Sequence, residues 1–392
     1  MRALVLGACG LQGRVAVYDL LRSSPDIQVD CVDTDPAGLE GVRGLLDMSR
    51  VTFRQMDVSD PGTLAALMAA GFDVAIDLLP SSYLNLIAAA AVEAGCHLVN
   101  TMYGHQLAPE LDVAARRRGV TIMPEAGLDP GIDLVLCGYG AGLLDEVHEL
   151  HSWCGGIPEA GPAADNPLKY KISWSWEGVL MSYARPAVII RNGKVLEIAA
   201  VDQHAPQWVR TSSFPGFGEL EVIPNGDALV FAEKMGVTAT LHNSTRCSLR
   251  WPGHSEVWHK LTSLGFLEET PVPGLPGGIT PQDFLVRHLG PRLQYAPGER
   301  DAVIMRTVVG GVKDARPLQV TFELVDYRDL ETGFLAMNRT VGFAASVVAQ
   351  MVASGEIARR GVLTAVRDIP GARFLEEIRS RGIRIEETWR SC

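Results

Sequence analysis

Three glycines spaced three apart stand behind a short apolar run at the start of the chain, in ALVLGACGLQG. Gly7, Gly10 and Gly13 give a GxxGxxG spacing, with Ala8, Leu11 and Gln12 among the residues between them. Glycine lets a backbone turn sharply and approach a ligand closely, and the free N–H groups of a helix start favour an anion. Residues 7–13 are therefore read as a cradle for the pyrophosphate of a dinucleotide, with a plain structural turn as the alternative. Asp33, 20 residues past Gly13 in CVDTDP, stands where an acid accepts hydrogen bonds from the adenosine ribose. An acid there repels the 2′-phosphate of NADP, so NAD is favoured as cofactor. Asp57, in RQMDVSD, holds the corresponding place after the next strand. It is read as a contact for the adenine edge or as a turn acid. Leu79 and Pro80 follow a fourth apolar run and are read as a wall of the cofactor site, with a helix start as the alternative for Pro80.

The elements that must position these residues follow from periodicity. RALVLG, DIQVDCVDTD, VTFRQMDVSD, FDVAIDLLP, CHLVNTMY and VTIMPEAG read as strands. LQGRVAVYDLLRSS, SDPGTLAALMAAG, SYLNLIAAAAVEAG and ELDVAARRRG read as helices between them, the second capped by Ser59 or Asp60 with Pro61 in its first turn. Apolar strands alternating with helices imply an α/β fold: a Rossmann-type, doubly wound parallel sheet over residues 1–126. After Pro130 the texture changes. IDLVLCGYGAGLLDEV is helix-like, and a region rich in Trp, Pro and Gly follows. AVIIRNGKVLEI is expected to be a hairpin turning at Asn192-Gly193, and PLQVTFELVDY a strand. Residues 127–335 are read as a second, α+β domain for substrate binding and dimerisation. Residues 336–392, opening on the apolar helix TVGFAASVVAQMVASGEI, are read as helices returning to the first domain.

Composition narrows the class. The chain has 392 residues, 47% of them hydrophobic and 21% charged, enough for two packed domains. With 35 basic and 46 acidic residues the net charge is −11, which argues against nucleic acid or an anionic membrane as a partner. No run of uninterrupted apolar residues is long enough for a bilayer span, and the opening run breaks at glycine, unlike a signal peptide. The seven cysteines are scattered and odd in number, with no CxxC pair. A reducing cytoplasm is expected, and no metal site is read.

Three further stretches are unusual: NTMYGHQ, AGLDPGIDLVL and SWCGGIPEAGPAADNPLKYKISWSWEGVL. With TRCSLRWPGH they resemble the saccharopine dehydrogenase family, and in particular its glutamate-forming branch, over most of the chain. PAVIIRNGKVLEI, AVIMRTVVGGVKD and VAQMVASGEIARRGVL instead look closer to lysine 6-dehydrogenase, a sister enzyme of the same fold. The resemblance implies hydride transfer from a carbon bearing nitrogen to a nicotinamide, then opening of the imine by water. That chemistry needs an acid–base group. By the resemblance, Asp129, Tyr103 and Cys154 take that role. Left to ordinary chemistry, Asp129 is a helix cap, Tyr103 a core phenol and Cys154 a small buried residue. His105 reads as a loop histidine, and Trp174 and Trp176 as one face of a strand in the core. Arg246 matches a carboxylate-gripping arginine of the glutamate-forming branch, with Asn166, Lys169, Tyr170 and Trp174 as further substrate contacts. That branch generally uses NADP, with a basic residue where this chain has Asp33. The expected protein is a homodimeric NAD(P)-dependent oxidoreductase of a small amino acid. Saccharopine is the first choice of substrate and free lysine the second. A catalytically silent nucleotide-binding sensor is the reading from another class.

Overall fold

The computed structural model describes residues 1–274 and 276–391. They fall into two compact units: 1–139 with 338–383, and 140–337 with 384–391.

The first unit is built on a parallel sheet. Its strands are β1 (Arg2–Leu6), β2 (Gln28–Asp33), β3 (Val51–Gln55), β4 (Val74–Asp77), β5 (His97–Asn100) and β6 (Thr121–Met123), in the order β3-β2-β1-β4-β5-β6. A two-residue strand, Gly361–Val362, extends the sheet beside β6. The central strands are buried almost throughout, as strands covered on both faces must be. Leu4, Leu6, Ala75, Leu98 and Ile122 pack with Ile87, Ala88 and Ala91 of helix Leu84–Ala94 in one apolar cluster. Local signals set the helix ends as expected. Asp60 caps helix Pro61–Met68 by accepting from the Thr63 amide at 2.7 Å. Gly95 closes helix Leu84–Ala94 in the left-handed conformation.

The second unit is built on a mixed sheet. Its strands are β7 (Glu146–Pro158), β8 (Ala187–Arg191), β9 (Lys194–Ile198), β10 (Arg210–Phe214), β11 (Gly218–Pro224), β12 (Asn243–Arg250), β13 (Asp301–Lys313) and β14 (Arg316–Tyr327). The sheet runs β10-β11-β12-β7-β13-β14, then the C-terminal strand Arg384–Ser391. Only the β12–β7 pair is parallel along this path. The β8–β9 hairpin turns at Asn192-Gly193, both at positive φ, as its sequence predicts.

Several expectations need correction. The boundary between the units lies at Tyr139/Gly140, because helix Ile132–Gly142 stays largely with the first unit. The C-terminal segment is not all helical: Arg384–Ser391 pairs with β14 and belongs to the second unit. The SWCGGIP stretch is the end of a long strand. Its glycines are there for packing: a Cβ on Gly155 would lie 2.4 Å from the Leu249 carbonyl oxygen, and one on Gly156 2.4 Å from the Met337 side chain. Trp174 and Trp176 do not share a strand. Trp176 opens helix Trp176–Tyr183, capped by Ser175, and Trp174 precedes it in a bend.

Candidate active site

The glycine loop joins β1 to helix Gly13–Ser23. Gly7 has φ +76°, and its amide and that of Ala8 bond to the Val32 carbonyl at 2.9 and 3.2 Å. The turn closes through Gly10 N–H to the Gly7 carbonyl at 3.1 Å. Gly13 is required by space: a Cβ there would sit 2.0 Å from the Gly7 oxygen. A Cβ on Gly7 would meet the Leu78 carbonyl at 3.0 Å. The helix carries no side-chain cap at Gln12. The loop thus has the close backbone approach and the uncapped helix start that a pyrophosphate needs. Ala8 is buried and Leu11 exposed beside it.

Asp33 ends β2, but part of its carboxylate is used inside the protein. Oδ2 accepts from the Cys9 amide at 2.9 Å and Oδ1 from the Thr34 amide at 2.8 Å. Asp57 accepts from the Ser59 amide at 2.9 Å, and this bonding holds its carboxyl below the usual range. Leu79 is half-buried, with its side chain against Gly7. Pro80 precedes the short helix Ser81–Tyr83, in keeping with its alternative reading. Two nearby residues escaped the sequence reading. Arg14 follows the last glycine, half-buried, with no carboxylate within ion-pair distance among the described residues. Asp77, the last residue of β4, is almost fully buried, and burial pushes its carboxyl up to about 7.

Tyr103 and Asp129 follow β5 and β6, adjacent strands with the same carboxyl edge. Segments 100–102 and 125–126 run side by side: Ala126 N–H bonds to the Asn100 carbonyl and Glu125 N–H to the Met102 carbonyl, both at 2.9 Å. Tyr103 is half-buried at the head of the turn Gly104–Gln106, its ring stacked on His105 at 5.4 Å. Asp129 is exposed at the tip of the Gly127–Gly131 turn. That turn is held by Gly127 N–H to the Pro130 carbonyl at 3.1 Å and by Gly131 N–H to the buried carboxylate of Asp133 at 2.9 Å.

In the second unit one sheet face is polar. Successive strand residues alternate faces, so Arg246, Ser248 and Arg250 share a face of β12. In register, Ser152 and Cys154 of β7 lie opposite Arg246 and Ser248, and Thr307 and Met305 of β13 continue the rows. Both arginines are 5% exposed and Cys154 is 7% exposed. Arg246 lies over the Phe231 ring at 4.5 Å. Arg250 donates to the Tyr183 hydroxyl at 3.0 Å and packs over the Tyr170 ring at 5.4 Å. Arg250 lies inside the quoted TRCSLRWPGH, and its even spacing from Arg246 was the signal that could have found it.

The other expected substrate contacts have internal duties. Asn166 bonds to the Tyr170 main chain, its amide donating to the carbonyl at 3.0 Å. Lys169 donates to the Pro252 carbonyl at 2.6 Å. Tyr170 is 1% exposed, stacks on Trp176 at 5.8 Å, and burial raises its phenol. Trp174 is half-buried against the same aromatic cluster.

A glycine loop opening a β3-β2-β1-β4-β5-β6 parallel sheet is the arrangement of a Rossmann-type dinucleotide-binding fold. Residues 3–123 match the family model of the saccharopine dehydrogenase NADP binding domain, and residues 127–383 that of the saccharopine dehydrogenase C-terminal domain. The chain belongs to the saccharopine dehydrogenase family. Alpha-aminoadipic semialdehyde synthase of Bos taurus is 30% identical over 374 residues, 79% of this chain but 40% of that protein. The chain thus spans about 40% of the length of such long relatives. Saccharopine dehydrogenase (NADP+, L-glutamate-forming) of Schizosaccharomyces pombe is 28% identical over 404 residues, 85% of this chain and 87% of that one. The apo structure of the L-Glu-forming saccharopine dehydrogenase from Saccharomyces cerevisiae has the same fold, with a TM-score of 0.82 at 24% identity and full coverage of both chains.

Proposed function

We propose that this protein is an NADP-dependent saccharopine dehydrogenase of the L-glutamate-forming kind. The observation that carries the reading is the face of β12 and β7, where buried Arg246 pairs with Ser152 one row from the Ser248–Cys154 pair and Arg250 lies further along the same face of β12. A buried guanidinium face suits a substrate with several carboxylates. The relatives matched nearly end to end carry that activity in their names.

A bound nicotinamide dinucleotide would supply the hydride acceptor. Residues 7–13 would hold its pyrophosphate, and Arg14 offers a cation beside that loop. Arg246 would grip a substrate carboxylate. The acid–base group of Asp129, Tyr103 and Cys154 would take the proton from the secondary amine as its C–H bond gives up hydride. The imine so formed takes up water, and the C–N bond breaks with a proton returned to nitrogen. Glutamate and an aldehyde of the lysine skeleton result.

NADP is proposed over NAD because Asp33 is partly committed to the Cys9 amide while Arg14 supplies positive charge. The family model and the named relatives agree with that choice. The homodimer implied by the resemblance and the cytoplasmic setting expected from the scattered cysteines belong to the same proposal. No disulfide joins the six described cysteines, and no described helix is long and apolar enough to cross a membrane. Product analysis tests the reaction. Glutamate and the semialdehyde are expected from saccharopine, whereas lysine and 2-oxoglutarate would assign cleavage to the other C–N bond.

A further inference from the structure

We propose that Glu125 is the positioning residue of the Tyr103 turn, its buried carboxylate tying that turn to the Thr364–Ala365 segment. The proposal rests on the reading that Tyr103 serves the reaction.

Glu125 is wholly buried just past β6. Its φ is +61°, a left-handed conformation that glycine or asparagine adopts more readily. A glutamate held there points to a need for the side chain. Oε1 accepts from the Gly104 amide at 3.0 Å. Oε2 accepts from the Thr364 hydroxyl at 2.9 Å and the Ala365 amide at 3.2 Å. Its own amide donates to the Met102 carbonyl at 2.9 Å. The residues on either side of Tyr103 are thus both bonded to Glu125. Gly104 follows Tyr103 directly, so a fixed Gly104 amide, with Met102 held on the other side, fixes the backbone from which the phenol projects. The far end of the tether is 239 residues away in sequence, beside the short strand Gly361–Val362. Hydrogen bonds to a charged carboxylate are among the stronger ones, and buried donors left without an acceptor are costly.

The test compares the full chain with Glu125→Gln, Thr364→Val, Thr364→Ser and Tyr103→Phe. Glutamine keeps one acceptor oxygen but sets its NH2 against N–H donors at the other end. Amide exchange at Gly104 is read by mass spectrometry, and kcat and KM are read with saccharopine and NADP. In Glu125→Gln, exchange at Gly104 should quicken and kcat fall, each by about tenfold, with KM for NADP within about twofold of wild type. Thr364→Val removes only the hydroxyl donor and should lower kcat by about threefold, with Thr364→Ser restoring it. Unchanged exchange at Gly104 in a folded Glu125→Gln overturns the proposal. So does faster exchange with unchanged kcat. Should Glu125→Gln not fold, a Thr364→Val of wild-type kcat and exchange overturns it. A Tyr103→Phe of full activity contradicts the role given to Tyr103 instead, and the exchange arm still decides the tether.

Discussion

Asp33 holds the Cys9 amide at 2.9 Å, so the acid at the end of β2 is bonded into the glycine loop. Two functions of that carboxylate can therefore be separated. Asp33→Asn keeps an acceptor for Cys9 and removes the charge. It should lower KM for NADP by about threefold to tenfold, with a small fall in melting temperature because the Thr34 amide loses its acceptor. Asp33→Ala removes the acceptor as well. It should cost about 1–2 kcal/mol of stability and raise KM for both dinucleotides. Steady-state kinetics with NAD and NADP and a melting curve check both.

Gly13→Ala tests the loop by volume. The added methyl would meet the Gly7 oxygen at 2.0 Å, where only a shift of backbone relieves the overlap. The variant should lose about 2–4 kcal/mol of stability and bind dinucleotide at least tenfold more weakly. Thermal melting and titration of NADPH fluorescence measure the two effects.

Arg246 is 5% exposed on the polar face of β12. Arg246→Lys keeps the charge but loses the planar fork, and should raise KM for saccharopine about tenfold or more, with KM for NADP unchanged. An equal rise in both constants would point to a disturbed fold, which circular dichroism would reveal.

Asp77 gives stability a pH dependence of known sign. Burial raises its folded pKa to about 7 from an ordinary value of 3.8. The folded state then holds the proton more tightly than the unfolded one. Stability from this group is greatest below the unfolded pKa and is lost as pH rises towards 7. Asp77→Asn removes that loss while an oxygen remains for the Leu79 amide. It should stabilise the protein by about 1–3 kcal/mol at pH 8 and change little at pH 4. Melting at the two pH values checks it.

The first unit was legible because its signals are local. A strand, three glycines and a helix adjoin in sequence, and Asp60, Pro61 and Gly95 set helix ends by their own chemistry. The second unit was less legible. The glycines of SWCGGIP look like a turn until β12 and Met337 are placed against them, and those partners are about 90 and 180 residues away in sequence. Tyr170 was read by type as a substrate contact, and only packing shows it as core. Arg250 shares a face with Arg246 by its spacing along β12, but only register sets that face beside Cys154, through the Ser248 pair. Glu125 was hidden for a similar reason: its partner Thr364 is remote in sequence.

The most direct measurement of the central claim is absorbance at 340 nm at alkaline pH, with saccharopine or lysine, each with NADP or NAD. A rise is expected with saccharopine, faster with NADP, and none with lysine. A rise with lysine alone, or silence with saccharopine under both cofactors, would contradict that claim.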